Sequence, residues 1–357
     1  MRLNSRRAGL GAAARAEPAA RAFAAGLALA AGLALAPMAA ADPSPQAAST
    51  ASAKFTPGGG PYVIAHRGGA GLGPENTLAA IARSLAMGVD GIEIDVQMTA
   101  DGEIVAYHDF RLDISALAPG VATPPEGAPA IKDLTYSELR ALRIAGAGAE
   151  AAGEGDAAGR IPRLAEAIAL MKSRGRGDER LWIEVKTDPR RPGVTTGSDR
   201  VSEAVLEILE AEDFAGRADI LSFDWTALEN VRRAAPELAR VHLTIHPRWR
   251  PFSFLRMRAH ARLLDGARLS DYGGSFPRAA ASREAAAWNA YHRDMTPEKI
   301  RIARESGLLI GAWTVNDPER AAALVAMGVD AITTDYPDRI LAALGDRRNP
   351  RRAGPTP

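Results

Sequence analysis

Two decapeptides far apart in this chain, "AMGVDGIEID" at 86–95 and "AMGVDAITTD" at 326–335, share seven of ten residues. Each reads as the end of a helix, a glycine stop, and a strand that closes on an aspartate. A helix-to-strand unit used twice implies a repeating architecture. The rest of the chain agrees, because short β-rich runs alternate with helical patterns such as "TLAAIARSLAMG" (77–88) and "RLAEAIALMKSRG" (163–175). Eight such runs stand out: "YVIAH" (62–66), "GIEIDV" (91–96), "EIVAYHD" (103–109), "LWIEVK" (181–186), "ADILSF" (218–223), "ARVHLTI" (239–245), "LLIGAWTV" (308–315) and "DAITTD" (330–335). Strand–helix alternation at this spacing predicts a parallel sheet, and the repeat predicts an α/β fold of the (β/α)8 TIM-barrel type. A doubly wound dinucleotide fold is disfavoured, since "HRGGAGLG" (66–73) lacks the G-x-G-x-x-G order leading directly into a helix. An insert follows the third run, from 111 to 162, with a Gly/Ala-rich patch at 145–159.

The ends of the chain read differently. Arginines at 2, 6, 7, 15 and 21 precede the apolar "AFAAGLALAAGLALA" (22–36), and small residues lead to Ala41. That order predicts an export signal over 1–41, cleaved after Ala41, and a periplasmic or secreted protein. The Ala/Gly-rich run is short for a retained membrane span. Ser5-Arg6-Arg7 resembles a twin-arginine start, but Ala8-Gly9 stands where a bulky apolar residue is usual, so both export routes stay open. Residues 42–60 read as a flexible linker, 61–345 as the folded domain, and 346–357 as a disordered, Arg-rich tail. The chain has no cysteine, which excludes disulfides and thiolate metal sites. Removing 1–41 takes away five arginines and one glutamate and moves the net charge from +1 to −3, which gives no support to nucleic-acid binding.

In a parallel barrel the carboxyl ends of the strands converge on one face. His66-Arg67, Glu93 and Asp95, His108-Asp109, Glu184 and Lys186, Trp313, and Thr334-Asp335 all stand at such ends. Glu93 and Asp95 are two apart on one strand and therefore share a face. Carboxylates packed this way repel one another and lose hydration unless a cation neutralises them. Glu93, Asp95 and Glu184 offer only hard oxygen donors, which suits Ca²⁺ or Mg²⁺ more than Zn²⁺. Arg67 and Lys186 are placed to meet anionic oxygens, and two histidines can exchange protons near neutrality. Together these describe a phosphate-ester site.

The segments "AHRGGAGLGPENT" (65–77), "GIEIDVQMTADGEIVAYHD" (91–109), "LWIEVK", "GAWTVN" (311–316) and "ITTDYPD" (332–338) resemble, in this order, the glycerophosphodiester phosphodiesterases, over roughly 61–345. The resemblance implies a (β/α)8 barrel and one divalent cation on Glu93, Asp95 and Glu184. It implies acid/base work by His66 and His108, and a phosphate held by Arg67 and Lys186. The products would be glycerol 3-phosphate and a free alcohol, with His66 as base, His108 as acid, and the substrate's own glycerol hydroxyl as a candidate first nucleophile. Ile114-Ser115-Ala116 departs from the family pattern beside the mouth. Two rivals are an enzyme of the phospholipase D or lysophospholipase kind acting on acylated lipids, and a non-catalytic phosphate-ester binder.

Among the other candidates, Trp313 serves equally as barrel filling or as a wall for the glycerol carbons. His242 reads as structural, and His246, His260 and His292 as loop or surface residues. Glu75-Asn76-Thr77 reads as a helix cap and Asp335 as a turn or cap. The expected partner is a small glycerophosphodiester, with no nucleic acid and no membrane insertion of the mature chain; oligomeric state is not legible. The signal reading predicts that protein recovered from the exported fraction begins near Asp42, as N-terminal sequencing reads. A chain that still carries 22–36 and sediments with membranes would instead have a retained anchor.

Overall fold

A computed structural model describes residues 61–117, 128–144, 159–191, 193–246 and 262–345. The expected signal, linker and tail, His260 and nearly all of the Gly/Ala-rich patch lie outside these residues. The strands are β1 (Tyr62–Ala65), β2 (Gly91–Met98), β3 (Ile104–Ala106), β4 (Arg180–Val185), β5 (Ala218–Ser222), β6 (Ala239–Thr244), β7 (Ala287–Tyr291), β8 (Leu309–Trp313) and β9 (Ala331–Thr334). The helices are α1 (Leu78–Ala86), α2 (Tyr136–Arg140), α3 (Leu164–Arg174), α4 (Ser198–Ala211), α5 (Trp225–Ala234), α6 (Phe276–Ala281), α7 (Pro297–Glu305), α8 (Pro318–Ala326) and α9 (Pro337–Leu344).

β1 pairs in parallel with β2 on one side and with β9 on the other, so the sheet closes. The eight staves are β1, β2 and β4 to β9, in chain order around the ring. The expected (β/α)8 barrel is what the chain forms. One predicted stave is not a stave, however. β3 runs antiparallel to the end of β2, with Val96 opposite Ala106 and Met98 opposite Ile104. Only residues 99–103 separate the two strands, enough for a hairpin and far too few for a parallel crossover. The stave that takes its place is β7, "AWNAY", where Trp288 and Tyr291 favour a strand but two alanines, a central Asn and the lack of any β-branched residue weaken the signal.

The repeated unit explains itself locally. α1 and α8 each unwind at a glycine with positive φ, Gly88 at 78° and Gly328 at 97°. At the start of the next strand, Asp90 Oδ2 accepts from the Val63 amide at 2.7 Å and Asp330 Oδ2 from the Ile310 amide at 2.9 Å. The same aspartate thus ties each new strand to its neighbour.

Alternation along the staves sends one set of side chains inward and another under the helices. Tyr62, Ile64, Trp182, Leu221, Val241, Leu243, Ala287, Leu309 and Ala331 fill the barrel. Ile92, Ile94, Val96, Ile183 and Ile220 pack outward against helix residues such as Ile168, Met171, Val205 and Leu228. At the amino-terminal end, Arg180 forms a bidentate pair with the fully buried Asp219. The described part of the insert builds a small core of its own, where Leu112, Ile131, Leu139, Leu142 and Ile161 pack on Val105 and Tyr107. Among the described residues no helix is long and apolar enough to cross a membrane.

Candidate active site

The first stave ends in a turn that few residues tolerate. Arg67, Gly68 and Gly69 have φ of 51°, 77° and 95°, and a non-glycine residue there is strained. The turn aims the Arg67 amide at Glu93 Oε2, 2.8 Å away, and places Arg67 Nε 3.4 Å from Asp95 Oδ2. Glu75 holds the same guanidinium through both carboxylate oxygens at 2.9 Å. Asn76, also at positive φ, accepts from the Asp95 amide at 3.1 Å and donates to Asp95 Oδ2 at 3.0 Å. In "PENT", then, Thr77 is the cap, accepting from the Ala80 amide at 3.2 Å, while Glu75 and Asn76 brace the site.

The antiparallel hairpin delivers the second histidine. With Val96 opposite Ala106, the Tyr107 amide donates to the Asp95 carbonyl at 3.0 Å, and His108 arrives beside the carboxylates from the return arm. His108 Nδ1 lies 2.7 Å from Asp109 Oδ1. His66 Nδ1 lies 2.6 Å from Asp335 Oδ1. Both aspartates are held below their ordinary range. For Asp335, burial opposes this but the His66 and Asn316 hydrogen bonds outweigh it; for Asp109, the His108 hydrogen bond dominates. An ionised carboxylate only accepts, so each imidazole carries its proton on Nδ1 and presents Nε2 as an acceptor. His66 Nε2 stands 3.9 Å from Glu93 Oε2.

Glu93, Asp95 and Glu184 are buried, and one ligand oxygen from each lies within 4.8 Å of the others. Burial, then repulsion from Asp95 and Glu184, pushes Glu93 well above the usual carboxylate range. Burial also raises Glu184, although Lys186 opposes it. Burial would raise Asp95 too, but Lys186, His108 and Arg67 hold it low. Lys186 Nζ sits 2.9 Å from Glu184 Oε1 and 3.4 Å from Asp95 Oδ1. Even so, Glu93 Oε1 and Asp95 Oδ1 have no hydrogen-bond partner. Buried acceptors left without a hydrogen bond in a cluster that is short of positive charge suit a hard cation.

Seven of the eight predicted residues, His66, Arg67, Glu93, His108, Glu184, Lys186 and Trp313, line one cavity of about 420 Å³; the eighth, Asp95, clusters with Glu93 and Glu184. Trp313 packs edge-on against Phe223 at 5.4 Å and tilted against Tyr291 at 5.6 Å, so it is a wall of the cavity and a packed residue at once. Leu221, Phe223, Leu243 and Leu263 extend that apolar wall, and Arg190 and Arg191, both bound by the buried Asp188, stand at the rim. His242 faces outward onto Trp225, 4.7 Å between ring centroids, and is structural; His246 and His292 are absent from the lining.

Asp335 corrects the reading of a turn or cap: it is the partner of His66. A signal for it lay in the sequence, since the decapeptide repeat puts Asp335 where the first copy has Asp95. The supports repeat as well. Asn316 donates to Asp335 Oδ2 at 2.6 Å and accepts from the Asp335 amide at 2.9 Å, as Asn76 does with Asp95.

Residues 66–339 match the model of the glycerophosphoryl diester phosphodiesterase family. A glycerophosphodiester phosphodiesterase of Caldanaerobacter subterraneus subsp. tengcongensis is 31% identical over 281 residues, covering 78% of this chain and 96% of the relative. A Silicibacter pomeroyi crystal structure, provisionally named a glycerophosphoryl diester phosphodiesterase, is 32% identical with a TM-score of 0.68, covering 83% of this chain and 97% of that one. An Oleispira antarctica phosphodiesterase in complex with the product sn-glycerol-3-phosphate is 25% identical with a TM-score of 0.59, over 80% of this chain and 97% of that one.

The His66–Asp335 pair makes a distinct prediction. Asp335→Asn should loosen the Nδ1-protonated tautomer, visible as shifted His66 ring signals in ¹H–¹⁵N NMR. It should also lower turnover on the order of 10²-fold, within the range that one positioned acid or base supplies. Unchanged ring signals with unchanged turnover would leave Asp335 a turn residue.

Proposed function

The chain belongs to the glycerophosphoryl diester phosphodiesterase family and is a phosphoric diester hydrolase, and on that premise we propose that it cleaves glycerophosphodiesters to glycerol 3-phosphate and a free alcohol. The observation that carries the reading is the pair of Nδ1-braced imidazoles beside three buried carboxylates, two of which keep an oxygen with no hydrogen-bond partner. Glu93, Asp95 and Glu184 would hold one divalent cation, Ca²⁺ or Mg²⁺ more readily than Zn²⁺, which when bound offsets charge on the phosphoryl oxygens. Arg67 and Lys186, freed in part from those carboxylates, present a guanidinium and an ammonium to the phosphate.

His66 acts as the base. Asp335 behind it stabilises the imidazolium that forms when Nε2 takes the proton of the attacking hydroxyl, from water or from the substrate's own glycerol. His108 acts as the acid toward the leaving alcohol. Burial and then Lys186 push it down to about 4, so it is neutral at pH 7 until phosphate arrives. The substrate's negative charge offsets Lys186 and favours protonation of the ring. The apolar wall of Leu221, Phe223, Leu243 and Leu263 favours a second reading, in which the diester carries an acyl chain. The export signal read over 1–41 supports action outside the cytoplasm.

One assay series tests these roles on deacylated and acylated glycerophosphodiesters and a bis-nitrophenyl ester, with and without chelator. Chelation should abolish turnover and Ca²⁺ or Mg²⁺ should restore it. His108→Ala should lose about 10²- to 10⁴-fold on a glycerophosphoalcohol but much less on the nitrophenyl ester, whose leaving group needs little acid. His66→Ala should lose similarly on both. Full turnover in excess chelator removes the cation from the scheme, and the reverse pattern of losses exchanges the two histidines.

A further inference from the structure

The cations that line the cavity fall into two groups. Arg67 and Lys186 sit deep, against the carboxylates, and serve the phosphate. Arg111, Arg190 and Arg191 stand at the rim and have no part in that chemistry. They come from two loops, one that follows His108 and one that follows Lys186. Phe110 joins these loops, because its ring centroid lies 5.9 Å from Lys186 Nζ and 5.1 Å from Arg191 Cζ. The loop arginines are held in place by one buried carboxylate. Asp188 accepts from Arg190 Nε at 2.8 Å and Arg190 Nη2 at 3.0 Å, and from Arg191 Nε at 2.7 Å. Arg191 still has a side chain 48% exposed. Arg111 is exposed and donates to a neutral partner, the Ala128 carbonyl, at 2.9 Å. The other carboxylate of this rim, Asp109, is turned onto His108. Three arginines against two aspartates leave net positive charge on the His108 side of the mouth, and the facing wall of Leu221, Phe223, Leu243 and Leu263 adds no charge to offset it. Guanidiniums held by a buried anion lose little freedom when they meet another one.

We propose that Arg111, Arg190 and Arg191 select the leaving alcohol by its charge, favouring alcohols that carry a carboxylate or a further phosphate over alcohols that carry an ammonium. His108 protonates the alcohol, so the alcohol lies on the side of the mouth where these arginines stand. The proposal rests on the phosphodiesterase reading with His108 as acid, and it adds to that reading the chemical class of the alcohol released.

The test measures kcat/KM of the full chain, with Ca²⁺ at low salt, on glycerophosphoglycolate, glycerophosphoethanolamine and the neutral glycerophosphoglycerol. The first two carry alcohols of similar size and opposite charge. Their intrinsic reactivities differ, but that difference is common to parent and variants, so a change in the anionic-to-cationic ratio reports the rim alone. Arg191→Gln and Arg111→Gln should each lower that ratio by about threefold to tenfold, since one exposed charge is worth a factor of a few and acts on the two substrates with opposite sign. Arg191→Glu should lower it further, and Arg191→Lys, which keeps the charge, should hold the parent's ratio. Added salt should shrink the parent's preference through screening. Circular dichroism and the rate on glycerophosphoglycerol verify that each variant is folded. A ratio unmoved in both Gln variants and in Arg191→Glu overturns the proposal. If those variants instead lose co-sedimentation with phosphatidylglycerol vesicles while the ratio holds, the arginines serve a lipid surface and the proposal is equally overturned. A parent that hydrolyses these diesters with an unmoved ratio leaves the phosphodiesterase reading standing; a parent that hydrolyses none of them removes that reading and the proposal with it.

Discussion

Mutual repulsion among Glu93, Asp95 and Glu184 is the interaction around which the upper half of this barrel is arranged. Three carboxylates at 8% exposure or less, with ligand oxygens inside 4.8 Å of one another, cannot all ionise in a poorly hydrated pocket without counter-charge. Lys186 stands among them just past the end of the strand that carries Glu184, two residues on. Arg67 reaches them only because its backbone takes a left-handed turn that Gly68 and Gly69 continue. Asn76 fixes Asp95 from both directions, and Glu75 fixes Arg67. Each of these is a local expense of strain or burial, and each is intelligible once the carboxylates are taken as given. The demand for one more positive charge then follows from Glu93, whose proton affinity is raised and whose Oε1 has no partner.

The internal repeat gives this arrangement a second half. Asn76 with Asp95 and Asn316 with Asp335 make the same two hydrogen bonds at the carboxyl ends of β2 and β9, the staves on either side of β1. One copy presents its aspartate to the carboxylate cluster and the other to His66. A single supersecondary unit, ended by a left-handed glycine and tied to its neighbour by an aspartate, thus serves both the charge cluster and the His66 imidazole.

The parallel barrel and the charge cluster were legible because strand-end residues with chemistry stand out against apolar runs, and because His66, Glu93, Asp95, His108, Glu184 and Lys186 each close such a run. The reading went astray where composition and topology part company. "EIVAYHD" has the composition of a stave, yet the five-residue connection from β2 makes its strand the arm of a hairpin. "AWNAY" is a stave whose Asn and alanines hide it, and the property that hides it, an inward polar residue over Gly311, gives the cavity its polar floor. The repeat marked Asp335 as the counterpart of Asp95 but not as the partner of His66, because 269 positions separate the two and only closure of the ring, β9 against β1, brings them together. The apolar wall was equally hidden, since Leu221, Phe223, Leu243 and Leu263 are ordinary core residues until the cavity is seen.

The most direct test of the charge-cluster account is calorimetric melting of the full chain, stripped of metal and then titrated with Ca²⁺, beside Glu93→Gln treated the same way. In the parent, Ca²⁺ should bind at one ion per chain and raise the melting temperature by about 5 °C or more at saturating concentration, because an ion that binds only the folded state stabilises it by mass action. Stripped Glu93→Gln should melt above the stripped parent at neutral pH, since the amide keeps an acceptor for the Arg67 amide and removes one of the repelling charges. It should gain little from Ca²⁺. A parent that neither binds the ion nor shifts its melting temperature, together with a Glu93→Gln variant that melts below it, would contradict the account.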